Sequence, residues 1–371
     1  MRAALYVHIP FCVKKCVYCD FASYAGRDRD LAHYLRALER EIKAARREFG
    51  ALTIETLFIG GGTPSLLSGE QVHALMDAVR VDFAFAPDAE ITVEANPGAV
   101  SLPKLRAYRA AGVNRISLGV QAMQDSLLRT LGRIHTAAQA EEAVELVRRA
   151  GYENINLDLM YALPGQTAGD WADTLECALS FNPEHLSCYS LILEPGTPLE
   201  AAVRAGEYAL PDEETTAMFQ AMTVETLKAA GYIRYEISNY AKPGFACRHN
   251  LVYWRRGNYL GLGCAAHALM DEVRFANTES LDEYLSGVTR VSSQAIPLEE
   301  AREEMLMLSL RMSEGLNLGE YERRFGRNLL AERAAVIGRL SEAGYAVVDG
   351  GFLRLTDCGM DVQNAILVEL L

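Results

Sequence analysis

Short apolar runs of strand character alternate along this chain with longer stretches rich in Ala, Leu, Glu and Arg that carry helical periodicity. In chain order, strands are predicted at 5–9, 55–59, 90–94, 115–120, 154–160 and 185–192, and helices at 30–49, 69–81, 101–111, 137–150 and 168–181. Strand and helix in strict succession predict an α/β fold, a parallel sheet curled toward a partial (β/α)6 TIM-like barrel. The punctuation agrees. Ala111-Gly112, Ala150-Gly151, Ala230-Gly231 and Ala343-Gly344 each end a helical stretch before a β-former, where glycine supplies the left-handed cap. After residue 194 the pattern loosens into a proline-bearing loop, a helix at 212–230 and a short strand at 235–240. From 297 onward it becomes mainly helical, at 298–312, 318–325 and 329–343, with a β pair at 346–348 and 352–355 around Asp349-Gly350-Gly351. The expected division is therefore 1–194 for the barrel, 195–296 for a barrel-closing extension, and 297–371 for a winged-helix-like accessory domain.

In a parallel sheet of this kind ligands bind at the carboxyl ends of the strands. Polar and glycine residues fall there one strand after another: the cysteines after the first, Gly61, Gly62 and Thr63 after the second, Glu94 after the third, Gln121 after the fourth, and Asp158 in the fifth. Each has a plainer reading. A glycine turn is common, Glu94 or Asp158 could cap a helix or pair with Arg115, and Gln121 could satisfy loop backbone.

Composition narrows the classes. Half of the 371 residues are hydrophobic, enough for a sizeable core, and the net charge of -13 disfavours nucleic-acid binding, which needs clustered Lys and Arg. No stretch runs for about 18 apolar residues, so no transmembrane segment is expected and a cytoplasmic location is. Of the eight cysteines, Cys12, Cys16 and Cys19 form a C-x3-C-x2-C cluster and the rest are scattered. Lys14 and Lys15 between them argue against three buried core thiols. Structural zinc wants a fourth Cys or His nearby, and Asp20 and Phe21 stand there instead. A 4Fe-4S cluster on three thiolates keeps one iron open.

The run C-V-K-K-C-V-Y-C resembles the cluster loop of radical S-adenosylmethionine (SAM) proteins. Y-V-H-I-P-F-C, F-I-G-G-G-T-P-S, S-L-G-V-Q and L-P-G-Q-T resemble its coproporphyrinogen-oxidase-like branch across residues 6–167. The resemblance implies a radical SAM barrel whose open iron is chelated by SAM. It implies Gly61, Gly62 and Thr63 at the methionine part, Glu94, Gln121, Arg133 and Asp158 around the methionine and ribose groups, and Tyr6 and Tyr18 at the adenosine or cluster edge.

The segment from Cys247 to Trp254 carries a second set of chemistry-bearing residues. Histidine can ligate heme iron, aromatics can stack on a macrocycle, and Arg248, Arg255 and Arg256 can pair with propionates. Spacing alone favours a loop closing the barrel mouth, with Trp254 in the core and His249 hydrogen-bonded. The pattern H-N-x-x-Y-W is nevertheless similar to the HemW-type heme-chaperone family. Phe21 stands where the dehydrogenase relatives carry a further cysteine, and the chain starts five residues before Tyr6, both of which favour the chaperone type. The resemblance then implies heme as a ligand, with His249, Cys247 or His267 as candidates for the iron, and heme-accepting hemoproteins as partners, respiratory ones at the membrane among them. A homodimer stays open. The competing expectations are a radical SAM enzyme, an oxygen-independent coproporphyrinogen III dehydrogenase or a methyltransferase, and a structural zinc protein.

Overall fold

A computed structural model describes residues 1–371. Six strands, β1 (Arg2–Ile9), β2 (Thr53–Gly61), β3 (Ala84–Ala95), β4 (Arg115–Gln121), β5 (Ile155–Tyr161) and β6 (His185–Ser190), lie side by side in chain order and parallel. These are the six expected strands, each longer or shorter by a few residues at its ends.

The sheet does not stop there. β7 (Ile233–Glu236) and β8 (Asn239–Ala241) continue it antiparallel beyond β6. On the other side β9 (Tyr259–Leu262) pairs parallel with β1, and β10 (His267–Met270), β11 (Val273–Asn277) and β12 (Arg290–Ala295) follow antiparallel. The result is a 12-stranded open sheet whose end strands are not paired with each other. The single strand expected at 235–240 is two strands, because the Glu236 carboxylate accepts the Ser238 N–H at 2.9 Å and turns the chain between them.

Helices α1 (Leu31–Phe49), α2 (Gly69–Asp82), α3 (Leu102–Ala110), α4 (Asp125–Thr130), α5 (Ala137–Arg149) and α6 (Ala168–Ser180) connect the parallel strands. Ser68, Thr136 and Thr167 close capping boxes on α2, α5 and α6, each cap stabilising its helix start by about 1 kcal/mol. The predicted helix-ending glycines do adopt positive φ, 101° at Gly112, 90° at Gly151, 84° at Gly231 and 78° at Gly344. α7 (Pro198–Arg204), α8 (Glu213–Ala229) and α9 (Arg248–Trp254) follow. The segment read as a mouth-closing loop is thus the helix α9.

One core of 58 buried residues fills the space between sheet and helices, and a second of 19 residues gathers the C-terminal elements. There the helix expected at 329–343 breaks at Arg333 into Leu329–Glu332 and Ala334–Glu342. The wing, Ala346–Asp349 with Phe352–Leu355, gains Leu316–Asn317 as a third strand, and a helix at Gln363–Leu370, not expected from the sequence, completes the unit. No helix is long and apolar enough to cross a membrane.

Candidate functional site

The parallel strands present polar residues at every second position on the face turned away from the helices. Glu90, Thr92 and Glu94 on β3, Arg115 and Ser117 on β4, Asn156 and Asp158 on β5, and His185 and Ser187 on β6 alternate with buried apolar residues such as Val93, Ile116 and Leu157. Strand register places Ser117, Asn156 and His185 in one row, and they bond to one another. Asn156 donates to Ser117 at 2.7 Å and to Asp158 at 2.8 Å, Ser117 donates to Asp158 at 3.0 Å, and His185 Nδ1 is bonded to Asn156 at 2.6 Å. Such a network holds each strand in one register from inside the barrel.

At the carboxyl ends the chain builds the cysteine loop. His8 anchors it: its ring nitrogens are hydrogen-bonded to the Tyr6 hydroxyl and to the Ala22 carbonyl, both at 2.9 Å, so the end of β1 holds the residue just past the loop. Gly61 lies over that ring, where an added Cβ would come within 2.6 Å of it, at a φ of 115°. Gly62 lets the β2 turn lie against the cysteines, since a Cβ there would sit 2.7 Å from the Phe11 carbonyl oxygen and 3.0 Å from the Cys12 sulfur. Both glycines are needed by geometry.

Cys12, Cys16 and Cys19 are free thiols lining one cavity of about 380 Å3. Thr63 Oγ1 donates to Cys12 Sγ and Arg133 Nη1 to Cys16 Sγ, each at 3.5 Å. Arg133 also donates to the Gly119 carbonyl at 2.6 Å, while its buried Nε has no partner in the protein. Burial raises the Cys19 and Tyr18 pKa values. Gln121 enters the same cavity from a left-handed backbone at φ 70°. Soft donors backed by an arginine and a hydroxyl fit an iron–sulfur group.

Glu94 and Asp158 form the floor. Glu94 accepts the Gly61 N–H at 2.9 Å, and burial together with the Asp158 charge pushes its pKa up to about 8. Burial also raises Asp158, against the hydrogen bonds from Asn156 and Ser117 that favour its charged form. Below them lies a second cavity of about 200 Å3 that shares Glu94, Ser117, Asp158 and Tyr189 with the first. Tyr6 belongs to this lower cavity, with its ring 6.3 Å from Phe58 and not at the cluster edge. A wider hollow of about 420 Å3 near Arg2 and Glu55, at the amino ends of the strands, contains none of the residues expected at the cluster or SAM, and of the heme candidates only Arg248 and Arg255.

Of the twelve residues expected at the cluster and SAM, eleven, all but Tyr6, therefore meet in one cavity, and none of the heme candidates of the 247–256 segment joins them. Ser117 and Tyr189, which line both cavities, and Asn156, which lines the lower one, were missed. Their signal was present as polar residues at alternate positions of apolar strands.

The segment around His249 closes the barrel with a hydrogen-bonded histidine, as its spacing suggested, but as a helix and at the other end. α9 closes the barrel interior from the amino ends of the strands, opposite the cysteines. Its first amides, those of Arg248 and His249, donate to the buried Glu90 carboxylate at 3.2 and 3.1 Å, which suits an anion at a helix start. Both ring nitrogens of His249 are engaged, Nδ1 with Thr56 at 2.8 Å and Nε2 with Tyr253 at 2.9 Å, and burial pushes its pKa down to about 3. Iron ligation by His249 requires one of those bonds to break. Cys247 is fully buried and hydrogen-bonded to Glu90.

The arginines expected to pair with propionates are paired already: Arg248 with Asp88, Arg255 with Glu314, and buried Arg256 with Glu272 and Glu304. Trp254 is half-buried beneath the Arg311 guanidinium, 4.5 Å from its ring centroid, and so is not a core tryptophan. His249→Ala is expected to cost about 2–4 kcal/mol in urea unfolding, through the cavity and the unpaired Thr56 and Tyr253 hydroxyls.

Residues 6–178 match the model of the radical SAM superfamily, and residues 296–362 that of the HemN C-terminal domain. Among solved structures, coproporphyrinogen III oxidase (HemN) from Escherichia coli, a radical SAM enzyme, is similar at a TM-score of 0.86 and 27% identity, covering 99% of this chain and 89% of that one. Fold, cysteine loop and C-terminal unit together define a radical SAM protein of the HemN architecture. Heme chaperone HemW of Bacillus subtilis is 38% identical over 380 residues, spanning 100% of both chains. That of Escherichia coli is 45% identical over 270 residues, 71% of this chain and 69% of that one. The chain belongs to the HemW family.

Proposed function

We propose that this protein is a heme chaperone that holds a 4Fe-4S cluster and SAM, binds heme, and delivers it to hemoproteins from a cytoplasmic location. The observation that carries the cofactor part is the meeting of three cysteine thiols with the glycine turn and the strand-end carboxyls in one cavity. In this reading Cys12, Cys16 and Cys19 ligate the cluster. Gly61, Gly62 and Thr63 offer backbone and hydroxyl to the methionine part above Glu94. Gln121, Arg133 and Asp158 face the ribose side, and Tyr18 closes the cluster edge. Tyr6 acts from below, through His8, by holding the cysteine loop in place.

The bound cluster would supply an electron to SAM or a rigid charged platform at the cavity. What this chain's own residues do is position and dry that site. Arg133 places positive charge beside Cys16, Thr63 donates toward Cys12, and Glu94 stays largely protonated near neutral pH. We place residues 1–194 as the barrel, 195–296 as the extension that plugs its lower end, and 297–371 as an accessory unit with a core of its own.

Anaerobic titration of the cluster-reconstituted protein with heme tests the reading. Soret absorbance should saturate near one heme per chain, and unsaturable binding would remove heme from the account. The likeness to coproporphyrinogen III oxidase across 99% of the chain favours a second reading, porphyrinogen decarboxylation. Coproporphyrinogen III with SAM and a reductant is expected to give no product here, and turnover would establish the second reading.

A further inference from the structure

We propose that heme docks across the mouth of the cysteine cavity, with its macrocycle against Phe21 and its propionates on Lys14 and Lys15. The inference rests on the heme-chaperone reading and names where that ligand sits. Heme is an apolar disc carrying two carboxylates on one edge, so its site needs an exposed apolar surface next to cations that lack a carboxylate partner. The α9 segment does not offer this. Its three arginines are already in ion pairs, and His249 and Cys247 are buried on the far side of the sheet interior.

The cavity mouth offers both. Among the residues lining the cavity, Lys14, Lys15 and Phe21, all on the cysteine loop, are exposed and form its rim, whereas the open face of Tyr189 lies inside, where it also lines the lower cavity. Phe21 is 65% exposed, an aromatic ring open to solvent at that opening. A phenyl ring that open is an unused apolar face. Neither lysine has a carboxylate in ion-pair reach, although the chain carries 49 acidic residues and most of its arginines are paired. Lys15 Nζ donates to the Phe21 carbonyl at 2.8 Å, so its ammonium is held against the residue that carries the exposed ring. Lys14 makes no bond to the protein. Asp20 is the one acidic residue in this loop, and it pairs with neither lysine.

The space behind the rim is the proposed cofactor cavity, so heme lies over it and not inside it. Ring contact and cations are then supplied by the same loop that carries the cysteines. Removal of heme by an acceptor needs no opening of the barrel.

The test compares the unaltered protein with Lys14→Glu/Lys15→Glu and with Phe21→Ser, each cluster-reconstituted and checked for visible cluster absorption before heme is added. The double variant should bind heme about tenfold more weakly at low ionic strength, the size expected of two exposed charge pairs, with the difference shrinking as salt screens it. Heme dimethyl ester, which lacks the carboxylates, should bind both proteins alike, and Phe21→Ser should weaken heme and ester together. If the reversed charges disturb the loop, Lys14→Gln/Lys15→Gln gives the same comparison with a smaller loss. Equal heme affinity across all variants would overturn the docking site and leave the chaperone reading standing. Absence of saturable binding in the unaltered protein would overturn the chaperone reading itself.

Discussion

Cys16→Ala is expected to abolish the visible absorption of the reconstituted cluster while leaving the fold intact. Three thiolates are the minimum that hold a cubane with one open iron, and two cannot retain it. Cys16 is half-buried, and the one hydrogen bond of its sulfur comes from the Arg133 guanidinium at 3.5 Å, so truncation removes a ligand without opening a core cavity. Iron content should fall to background in Cys16→Ala and stay unchanged in Cys358→Ala, since Cys358 is an exposed cysteine of the C-terminal unit. An unchanged spectrum for Cys16→Ala would sink the assignment of all three ligands. The visible absorption of the protein in each case is the readout.

Glu94→Gln is expected to make the cofactor-free protein more stable in alkali, and the gain should be large. The folded carboxyl has a pKa of about 8 against an ordinary 4.5, because burial and the Asp158 charge oppose its ionisation. Between those values the folded state holds a proton that the unfolded chain has released. The stabilising contribution is therefore complete below the ordinary value and is lost as pH rises through the folded one. A shift of this size corresponds to about 3–5 kcal/mol at the upper end of the window. Glutamine keeps the carbonyl oxygen that accepts the Gly61 N–H and never ionises. Urea unfolding should thus give similar stabilities for the two proteins at pH 5 and a clear advantage for the variant at pH 9. Parallel pH profiles would show that Glu94 is already ionised, and that the site is wetter or more positive than its burial suggests.

What could be read from the sequence was local. The spacing of Cys12, Cys16 and Cys19, the Gly61-Gly62-Thr63 turn and the Ala-Gly junctions each depend on residues a few positions apart, and each stands in the structure where it was expected. The polar interior was half legible. Glu94 and Asp158 stood out as charges at strand ends, whereas Ser117 and Asn156, at alternate positions of apolar strands, did not.

Pairings across long separations were not legible at all. β9 reaches β1 with Leu260 opposite Leu5, and the alternation of strand and helix says nothing about such a partner. The same holds for α9. That His249 would be hydrogen-bonded could be expected from spacing, but not to what, because its partners are remote in sequence: Thr56 lies 193 residues away and Glu90 159. Side chains that suit heme in isolation, a histidine with arginines and aromatics, equally suit a buried hydrogen-bonded plug, and only the fold distinguishes the two.

Delivery of heme is tested by following its transfer. The cluster-reconstituted protein is loaded with heme without oxygen, freed of unbound heme, and mixed with an apo-hemoprotein while the Soret band is followed. Chaperone action predicts that the band moves to that of the acceptor's holo form at a rate that rises with acceptor concentration, showing that the acceptor takes heme from the carrier directly. A rate independent of acceptor, set by spontaneous heme release into solution, or retention of the heme by the carrier, would contradict it.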